Sequence, residues 1–189
     1  STDSIDNKIE SAIPLIKKIH HEMSKKLYRH SVNFGVFDII KHYAKFLKDH
    51  KSSYTKLLPS ILFQLDKLEI NTSPYDNVFC HNDLILTNFL DDGDRLWIID
   101  WEYSGFNNLL FDLGDFSSHC NFSKNKEIYL LENYFEKKIN DKLLLEFYSF
   151  KCAAFLREAM WSMVAELTSK IDFNFLIYTQ EKLAMFNNA

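Results

Sequence analysis

The sequence predicts a mainly α-helical chain with a small β-hairpin region, an α+β fold. Toward both ends of the chain, apolar residues recur at three- and four-residue steps, the spacing of amphipathic helices. In the middle, two short apolar runs flank the turn signal Asp92-Gly93, which is the pattern of a hairpin. The 189 residues are 47% hydrophobic and contain no linker-like stretch, so we expect one domain over residues 1–189.

Helices account for the first part of the chain. Amphipathic runs cover residues 9–23, 36–47 and 57–68. Residues 71–77 combine Asn, Ser, Pro and Asp, which is typical of a loop. We therefore expect three helices and a loop before the hairpin region.

The pattern then changes to short strands before it returns to helices. Apolar runs predict strands at 78–80, 88–90 and 96–99. A helical period resumes at about residue 111. The longest run, 143–167, contains neither Gly nor Pro, and a last helix is expected over 173–186.

Composition excludes several functional classes. The 22 basic and 26 acidic residues give a net charge of −4, which argues against a nucleic-acid surface. No apolar window reaches the ~18 residues of a membrane-spanning helix. Three scattered cysteines argue against a disulfide framework or a zinc site, and they favour a cytoplasmic location. The four glycines form neither a Walker A loop nor a dinucleotide-binding turn.

Polar residues cluster where two of the predicted strands end. Asp83 and Asn88 lie five residues apart after the first strand, and Asp100 follows the last one. Two carboxylates and an amide oxygen can surround Mg²⁺, which keeps several waters and completes its shell with substrate phosphates. The spacing also matches the catalytic loop of kinases, where an Asp serves as base and an Asn and a second Asp hold metal. A single Asp in such a place is more often a turn former, so the prediction depends on the whole set.

The same segments resemble the signature blocks of choline/ethanolamine kinases, part of the aminoglycoside-phosphotransferase group of protein-kinase-like enzymes. The similar segments are 81–84 with Asn88, 99–103, 111–115 and the late helical segment 156–161. The resemblance implies the C-terminal lobe of a protein-kinase-like fold. It also implies phosphoryl transfer, dependent on ATP and Mg²⁺, to the hydroxyl of a small amino alcohol, with choline or ethanolamine as the expected acceptor.

Roles for individual residues follow from this resemblance. Asp83 is the expected catalytic base, and Asn88 and Asp100 are the expected metal ligands. The expected substrate-binding residues are Glu102, Tyr103 and Trp161, and ring faces with diffuse negative charge suit a quaternary ammonium group. The residues expected to support the loop are His81, Asn82 and Asp112.

One part of the family pattern has no counterpart in the sequence. That part is an N-terminal lobe with a β-sheet, a phosphate-covering loop and a lysine that grips ATP. We therefore expect residues 1–189 to be the C-terminal lobe alone and to be inactive by themselves. The alternatives are an aminoglycoside- or thiamine-type kinase, or a non-catalytic lobe that only binds ligand or forms a homodimer through exposed apolar surface.

Overall fold

The computed structural model describes residues 9–27, 33–73 and 77–189. Within these ranges the chain is mainly helical with two small antiparallel sheets, which confirms the predicted α+β class. The predicted loop at 71–77 lies partly outside the described residues. Among the helices described, none is long and apolar enough to cross a bilayer.

The predicted helices of the first part are present. They are α1 (Ile9–Lys18), α2 (Ser24–Leu27), α3 (Val36–Asp49) and α4 (Leu58–Ile70). A π-helical turn, Ile19–Met23, joins α1 to α2, and a 3₁₀ turn, Ser53–Lys56, precedes α4. The first apolar run predicted from the sequence is therefore one helical segment interrupted by a π turn.

In the described part of the chain, four short strands form two separate two-stranded sheets. They are β1 (Val78–Cys80), β2 (Phe89–Asp91), β3 (Leu96–Ile98) and β4 (Gly105–Asn107). The predicted hairpin is β2–β3, with Phe89 opposite Ile98, whereas β1 pairs with β4. The sequence pattern did not predict β4. The segment between β1 and β2 connects the two sheets and ends in a 3₁₀ turn, Leu86–Asn88.

Four helices follow the strands. They are α5 (Leu109–Cys120), α6 (Lys124–Phe135), α7 (Asp141–Thr168) and α8 (Phe175–Asn188). Asparagine side chains cap three of them, since the oxygens of Asn108, Asn140 and Asn174 each accept a backbone N–H from the first turn. These caps explain where α5, α7 and α8 begin.

Helix α7 is the centre of the domain. It is 28 residues long and packs against α3, α4, α5 and α8. Its buried side chains are distributed around most of its circumference, as expected for a helix enclosed by others. Because α5 carries the side chains that hold the loop after β1, the contact between α5 and α7 positions the site described below.

Gly114 allows α5 to approach α7 closely. A Cβ atom at this position would lie 2.7 Å from the backbone nitrogen of Lys151 and 3.1 Å from the carbonyl carbon of Phe150. We expect Gly114→Ala to lower the free energy of unfolding by about 2 kcal/mol, because backbone cannot rotate away as a side chain can. Chemical denaturation of the two proteins measures this difference.

Gly35→Ala is the matched control for this prediction. Its added methyl would meet only the Asp38 side chain, whose closest atom lies 3.0 Å away and can move. If Gly114→Ala and Gly35→Ala change the free energy of unfolding equally, the close approach of α5 to α7 does not limit stability.

Candidate active site

Two carboxylates from α5 hold the loop that follows β1. Oδ2 of Asp112 accepts the backbone N–H of His81 at 2.8 Å, and its Oδ1 accepts that of Asn82 at 2.7 Å. Oδ2 of Asp115 accepts the backbone N–H of Leu84 at 2.8 Å. Both aspartates are fully buried, so these bonds are shielded from water. Helix α5 thereby fixes the loop backbone on both sides of residue 83.

Asp112 is held in turn by His20, which lies in the π-helical turn. The Nε2 atom of His20 is 3.0 Å from Oδ2 of Asp112, and its Nδ1 is 2.7 Å from the hydroxyl of Tyr134. Because a carboxylate only accepts, the arrangement fits the tautomer in which Nε2 donates to Asp112 and Nδ1 accepts from Tyr134. π-Helical turns often occur at functional sites. The sequence pattern alone gives His20 no role in the site.

Asn82 holds the turn of the loop in an uncommon conformation. Its φ is +65°, in the left-handed region that Asn tolerates better than most residues. Its amide nitrogen donates to the carbonyl oxygens of Tyr103 at 3.0 Å and Gly105 at 3.3 Å. Its amide oxygen accepts from the side chain of Asn107 at 2.9 Å. Asn82 therefore ties the loop to the segment that enters β4.

His81 connects the loop to the end of β3. Its Nε2 atom lies 3.0 Å from the carbonyl oxygen of Ile99, so it donates to that oxygen. Its ring meets Trp101 edge-on with a centroid separation of 4.7 Å. Since Asp100 is the residue between these two contacts, His81 helps to fix the backbone on either side of Asp100.

The geometry around Asp83 and Asn88 suits a metal ligand. The Asn88 amide nitrogen donates to the main-chain carbonyl of Asp83 at 2.9 Å and to its Oδ2 at 3.1 Å. The amide oxygen of Asn88 is therefore directed away from Asp83, which leaves it free to bind a cation. Carboxylate and amide oxygens are the ligands that Mg²⁺ takes in proteins, so the donor set fits this ion.

Asp100 lies beside Asn88 at the same end of the β2–β3 hairpin. The N–H of Ile99 donates to the carbonyl of Asn88 at 2.9 Å, which continues the strand register by one pair. Asp100 is exposed and its φ is +62°. A left-handed non-glycine residue costs about 1–3 kcal/mol, and such strain concentrates at functional sites. The hairpin therefore brings the backbones of Asn88 and Asp100 together.

A cavity of about 310 Å³ opens beside Asp83. Its aromatic lining consists of Tyr103, Trp161, Phe173 and Tyr178. Its polar lining consists of Asp83, His119, Arg157 and Glu158. We call this cavity the acceptor pocket, after the substrate-binding role that the sequence predicts for Tyr103 and Trp161. Two of the three residues predicted to bind substrate line it, whereas Glu102 is exposed and outside the described lining.

Arg157 and three carboxylates form a buried ion cluster in the wall of the acceptor pocket. Arg157 is 1% exposed, and its Nη2 atom lies 2.8 Å from Oε1 of Glu158 and 3.2 Å from Oδ1 of Asp83. Oδ1 of Asp115 is 3.7 Å from the same atom. The buried ammonium of Lys182 also interacts with Glu158 and Asp115, so three carboxylates are set against two cations. With all five groups ionised, one negative charge is in excess, which favours a cationic ligand in the pocket.

The cluster shifts the pKa values of its members. Burial raises the pKa of Asp83, and the charge of Arg157 opposes this increase only in part. Burial alone would lower the pKa of Arg157, but the neighbouring carboxylates, Glu158 foremost, more than offset it, and the pKa is raised. Arg157 therefore stays charged, while Asp83 binds a proton more readily than an exposed aspartate.

Sequence reasoning assigned no role to Arg157, His119 and Tyr178, and it left Glu158 open between adding negative charge to the site and pairing with a lysine. Arg157 and Glu158 lie in a segment that resembles the family, but their type and spacing alone do not indicate an ion cluster. His119 and Tyr178 come from α5 and α8 and are brought to the pocket by the packing of these helices on α7. The signal that could have indicated a function is a charged pair, Arg157-Glu158, within a long apolar helix.

A second group of possible metal ligands lies behind the loop. Among the described residues, His20, Cys80 and Asp112 have ligand atoms within 4.8 Å of one another. All three are buried, and burial raises the pKa of the Cys80 thiol well above its usual range. Metal binding needs a thiolate, and the Nε2 of His20 already bonds to Asp112. The group is therefore better explained as structural support of the loop.

Comparison with known sequences identifies relatives of this chain. The family profile described as choline/ethanolamine kinase matches residues 1–129. Protein LicA of Haemophilus influenzae is 29% identical over 160 residues, which cover 79% of this chain and 58% of that protein. A protein of Arabidopsis thaliana named "Probable ethanolamine kinase" is 28% identical over 169 residues, covering 75% and 45%. The chain thus spans about half the length of the curated relatives it matches.

Comparison with solved structures gives the same result. A choline/ethanolamine kinase family protein from Mesorhizobium loti superposes with a TM-score of 0.81 at 25% identity, over 96% of this chain and 61% of that one. An ethanolamine kinase from Plasmodium vivax has the same fold, with a TM-score of 0.75 at 20% identity over 99% and 62%. The family match over residues 1–129 and the shared fold establish that this chain belongs to the choline/ethanolamine kinase family.

Proposed function

We propose that this chain carries the base and the acceptor pocket of a kinase that transfers the γ-phosphoryl group of ATP to the hydroxyl of a small amino alcohol, either choline or ethanolamine. The observation that carries the proposal is the acceptor pocket itself. Asp83 lies in its wall together with four aromatic rings and an acidic ion cluster. The relatives named as ethanolamine kinases support the same class of acceptor.

The pocket provides what a cationic alcohol needs. The ring of Trp161 would attract an ammonium group, and the net negative cluster around Arg157 would add a longer-range attraction. Cζ of Arg157 lies over one face of Tyr103, 5.7 Å from the ring centroid, and Nζ of Lys182 lies over one face of Tyr178, 5.1 Å from its centroid. These two rings would therefore contribute through their other faces. With the ammonium held there, the hydroxyl end of the acceptor would lie toward Asp83. Asp83 would accept the hydroxyl proton as the oxygen attacks, and its raised pKa favours that role.

Asn88 and Asp100 would hold Mg²⁺ together with the phosphates of ATP. Bound Mg²⁺ would neutralise the charge that develops on the transferred phosphoryl group. The amide orientation of Asn88 and the strained backbone of Asp100 are the features that support these ligand roles. The carboxylates of α5 would keep the loop backbone fixed while the reaction proceeds.

The other predictions from the sequence stay predictions. These are the need for an additional N-terminal lobe, inactivity of residues 1–189 alone, a homodimer and a cytoplasmic location. An aminoglycoside carries several ammonium groups and requires a wide acidic cleft, whereas this cavity has an aromatic wall and a volume of about 310 Å³. The pocket therefore favours the smaller acceptor.

Binding to this chain tests the acceptor class directly. Titration calorimetry with choline, ethanolamine and kanamycin should show binding of an amino alcohol in preference to kanamycin. We expect Trp161→Ala to weaken that binding about 10-fold, since it removes one ring face from the ammonium site. Phosphate transfer from ATP, measured with the protein expressed from the complete reading frame, tests the reaction.

Trp97→Ala is the matched control for the binding experiment. Trp97 lies on β3, is 39% exposed and stacks under Arg95 rather than lining the acceptor pocket. Its substitution should leave amino-alcohol affinity unchanged. Tighter binding of kanamycin than of either amino alcohol, or equal weakening by the two substitutions, would contradict the proposed acceptor site.

A further inference from the structure

Arg157 joins the acceptor pocket to the proposed base by a continuous series of contacts. The hydroxyl of Tyr178, on α8, donates to Oε2 of Glu158. The other oxygen of Glu158 forms an ion pair with Nη2 of Arg157 at 2.8 Å, and the same nitrogen donates a hydrogen bond to Oδ1 of Asp83. Asn88 donates to the second carboxylate oxygen of Asp83. Both oxygens of Asp83 are therefore held, one from the pocket side and one from the metal side.

A positive charge is unexpected in the wall of a pocket for cations. Arg157 would repel an ammonium group, and burying its guanidinium costs several kcal/mol before its partners are counted. The neighbouring carboxylates offset that charge, so the pocket keeps its excess of negative charge. Attraction of the acceptor therefore does not explain the presence of Arg157. The contact of Arg157 with Asp83 does explain it.

We infer that Arg157 is a positioning residue, which fixes the carboxylate of Asp83 at the edge of the acceptor pocket through one guanidinium nitrogen. The inference rests on the proposed function, because the base and the acceptor are defined there. The contacts with Asp83, Asp115 and Glu158 all come from Nη2, whereas Nε has no hydrogen-bond partner among the described residues. A lysine ammonium on a flexible stem could supply the charge at that place but would hold Asp83 less precisely.

This role is tested by measuring whether substitutions of Arg157 change kcat without raising KM. In the protein expressed from the complete reading frame, we expect Arg157→Met to lower kcat for amino-alcohol phosphorylation by about 100-fold, because small misplacements of a reacting group have effects of that size. The KM for the acceptor should stay unchanged or fall, since a repulsive charge has been removed. Arg157→Lys should recover part of the lost kcat. A merely structural role would reduce the folded fraction without this separation of kcat from KM.

Two further variants and the activity of the wild type keep the test decisive. Arg95→Met makes the same substitution at an arginine that stacks on Trp97, and it should change neither constant. Tyr178→Phe removes only the hydroxyl that anchors Glu158, and it should lower kcat several-fold even if Arg157→Met does not fold. Wild-type protein that phosphorylates no amino alcohol contradicts the proposed function. An active wild type whose Arg157→Lys and Tyr178→Phe variants keep full kcat, or change only KM, contradicts the inference about Arg157.

Discussion

Asp83→Asn is expected to lower the rate of phosphoryl transfer by about 10²–10⁴-fold, the usual contribution of a positioned general base. The amide cannot accept the proton of the acceptor hydroxyl, but it is close to the carboxylate in size. Asn88 keeps its hydrogen bond to the main-chain carbonyl of residue 83, so the loop should retain its conformation. The loss should therefore appear in kcat while acceptor binding is largely kept.

The same substitution is expected to stabilise the folded chain at neutral pH. Burial raises the pKa of Asp83, so the ionised carboxylate is less favourable in the folded chain than in the unfolded chain. The wild type therefore loses stability as the pH rises from the usual aspartate range through the raised pKa. Asparagine does not ionise and has no such loss. The advantage of the variant should be absent in acid and reach its full size above the raised pKa.

Thermal unfolding in metal-free buffer, followed from acidic to neutral pH, measures this effect. Asp66→Asn, at an exposed position of α4, is the matched control and should change neither the rate nor the unfolding temperature. A variant at position 83 that retains the wild-type rate would remove Asp83 as the base. An unfolding temperature that is the same for the wild type and Asp83→Asn at every pH would contradict the stability argument.

The secondary structure could largely be predicted because its signals are local. Helical periodicity identified the segments of α3, α4 and α7, and the Asp92-Gly93 turn identified the β2–β3 hairpin. Strand β4 was not predicted, because its three residues carry no recognisable alternation. It forms only where the chain returns to pair with β1, a contact between residues about 27 positions apart in sequence.

The candidate site could likewise be predicted only where its signals are local in sequence. Asp83, Asn88 and Asp100 lie on one loop and one hairpin, so their spacing predicted that they approach one another. The wall of the acceptor pocket is assembled from α5, α7 and α8, and no local pattern states which of their residues meet. Neighbouring residues in a turn also face different ways: Tyr103 lines the pocket, whereas Glu102 is exposed. Tertiary packing, which spacing does not encode, decides these positions.

Asp112→Ala is expected to have the largest effect on stability. The carboxylate is fully buried and accepts the backbone N–H groups of His81 and Asn82 as well as Nε2 of His20. Its removal leaves three buried donors without an acceptor, and each such group costs about 1–3 kcal/mol. We therefore expect the free energy of unfolding to fall by at least about 3 kcal/mol. Chemical denaturation measures the total loss.

Amide hydrogen exchange shows whether the loss begins at the loop. The amides of His81 and Asn82 should be protected in the wild type and should exchange much faster in Asp112→Ala, more so than amides in the middle of α7. Asp66→Ala, at the exposed position on α4, should change stability by less than about 0.5 kcal/mol. If the two loop amides stay protected without the carboxylate, water or neighbouring groups replace it readily. The loop around Asp83 would then be held by the strands and by the bond from Leu84 to Asp115 rather than by Asp112, and the buried contact of Asp112 with His20 would contribute to packing alone.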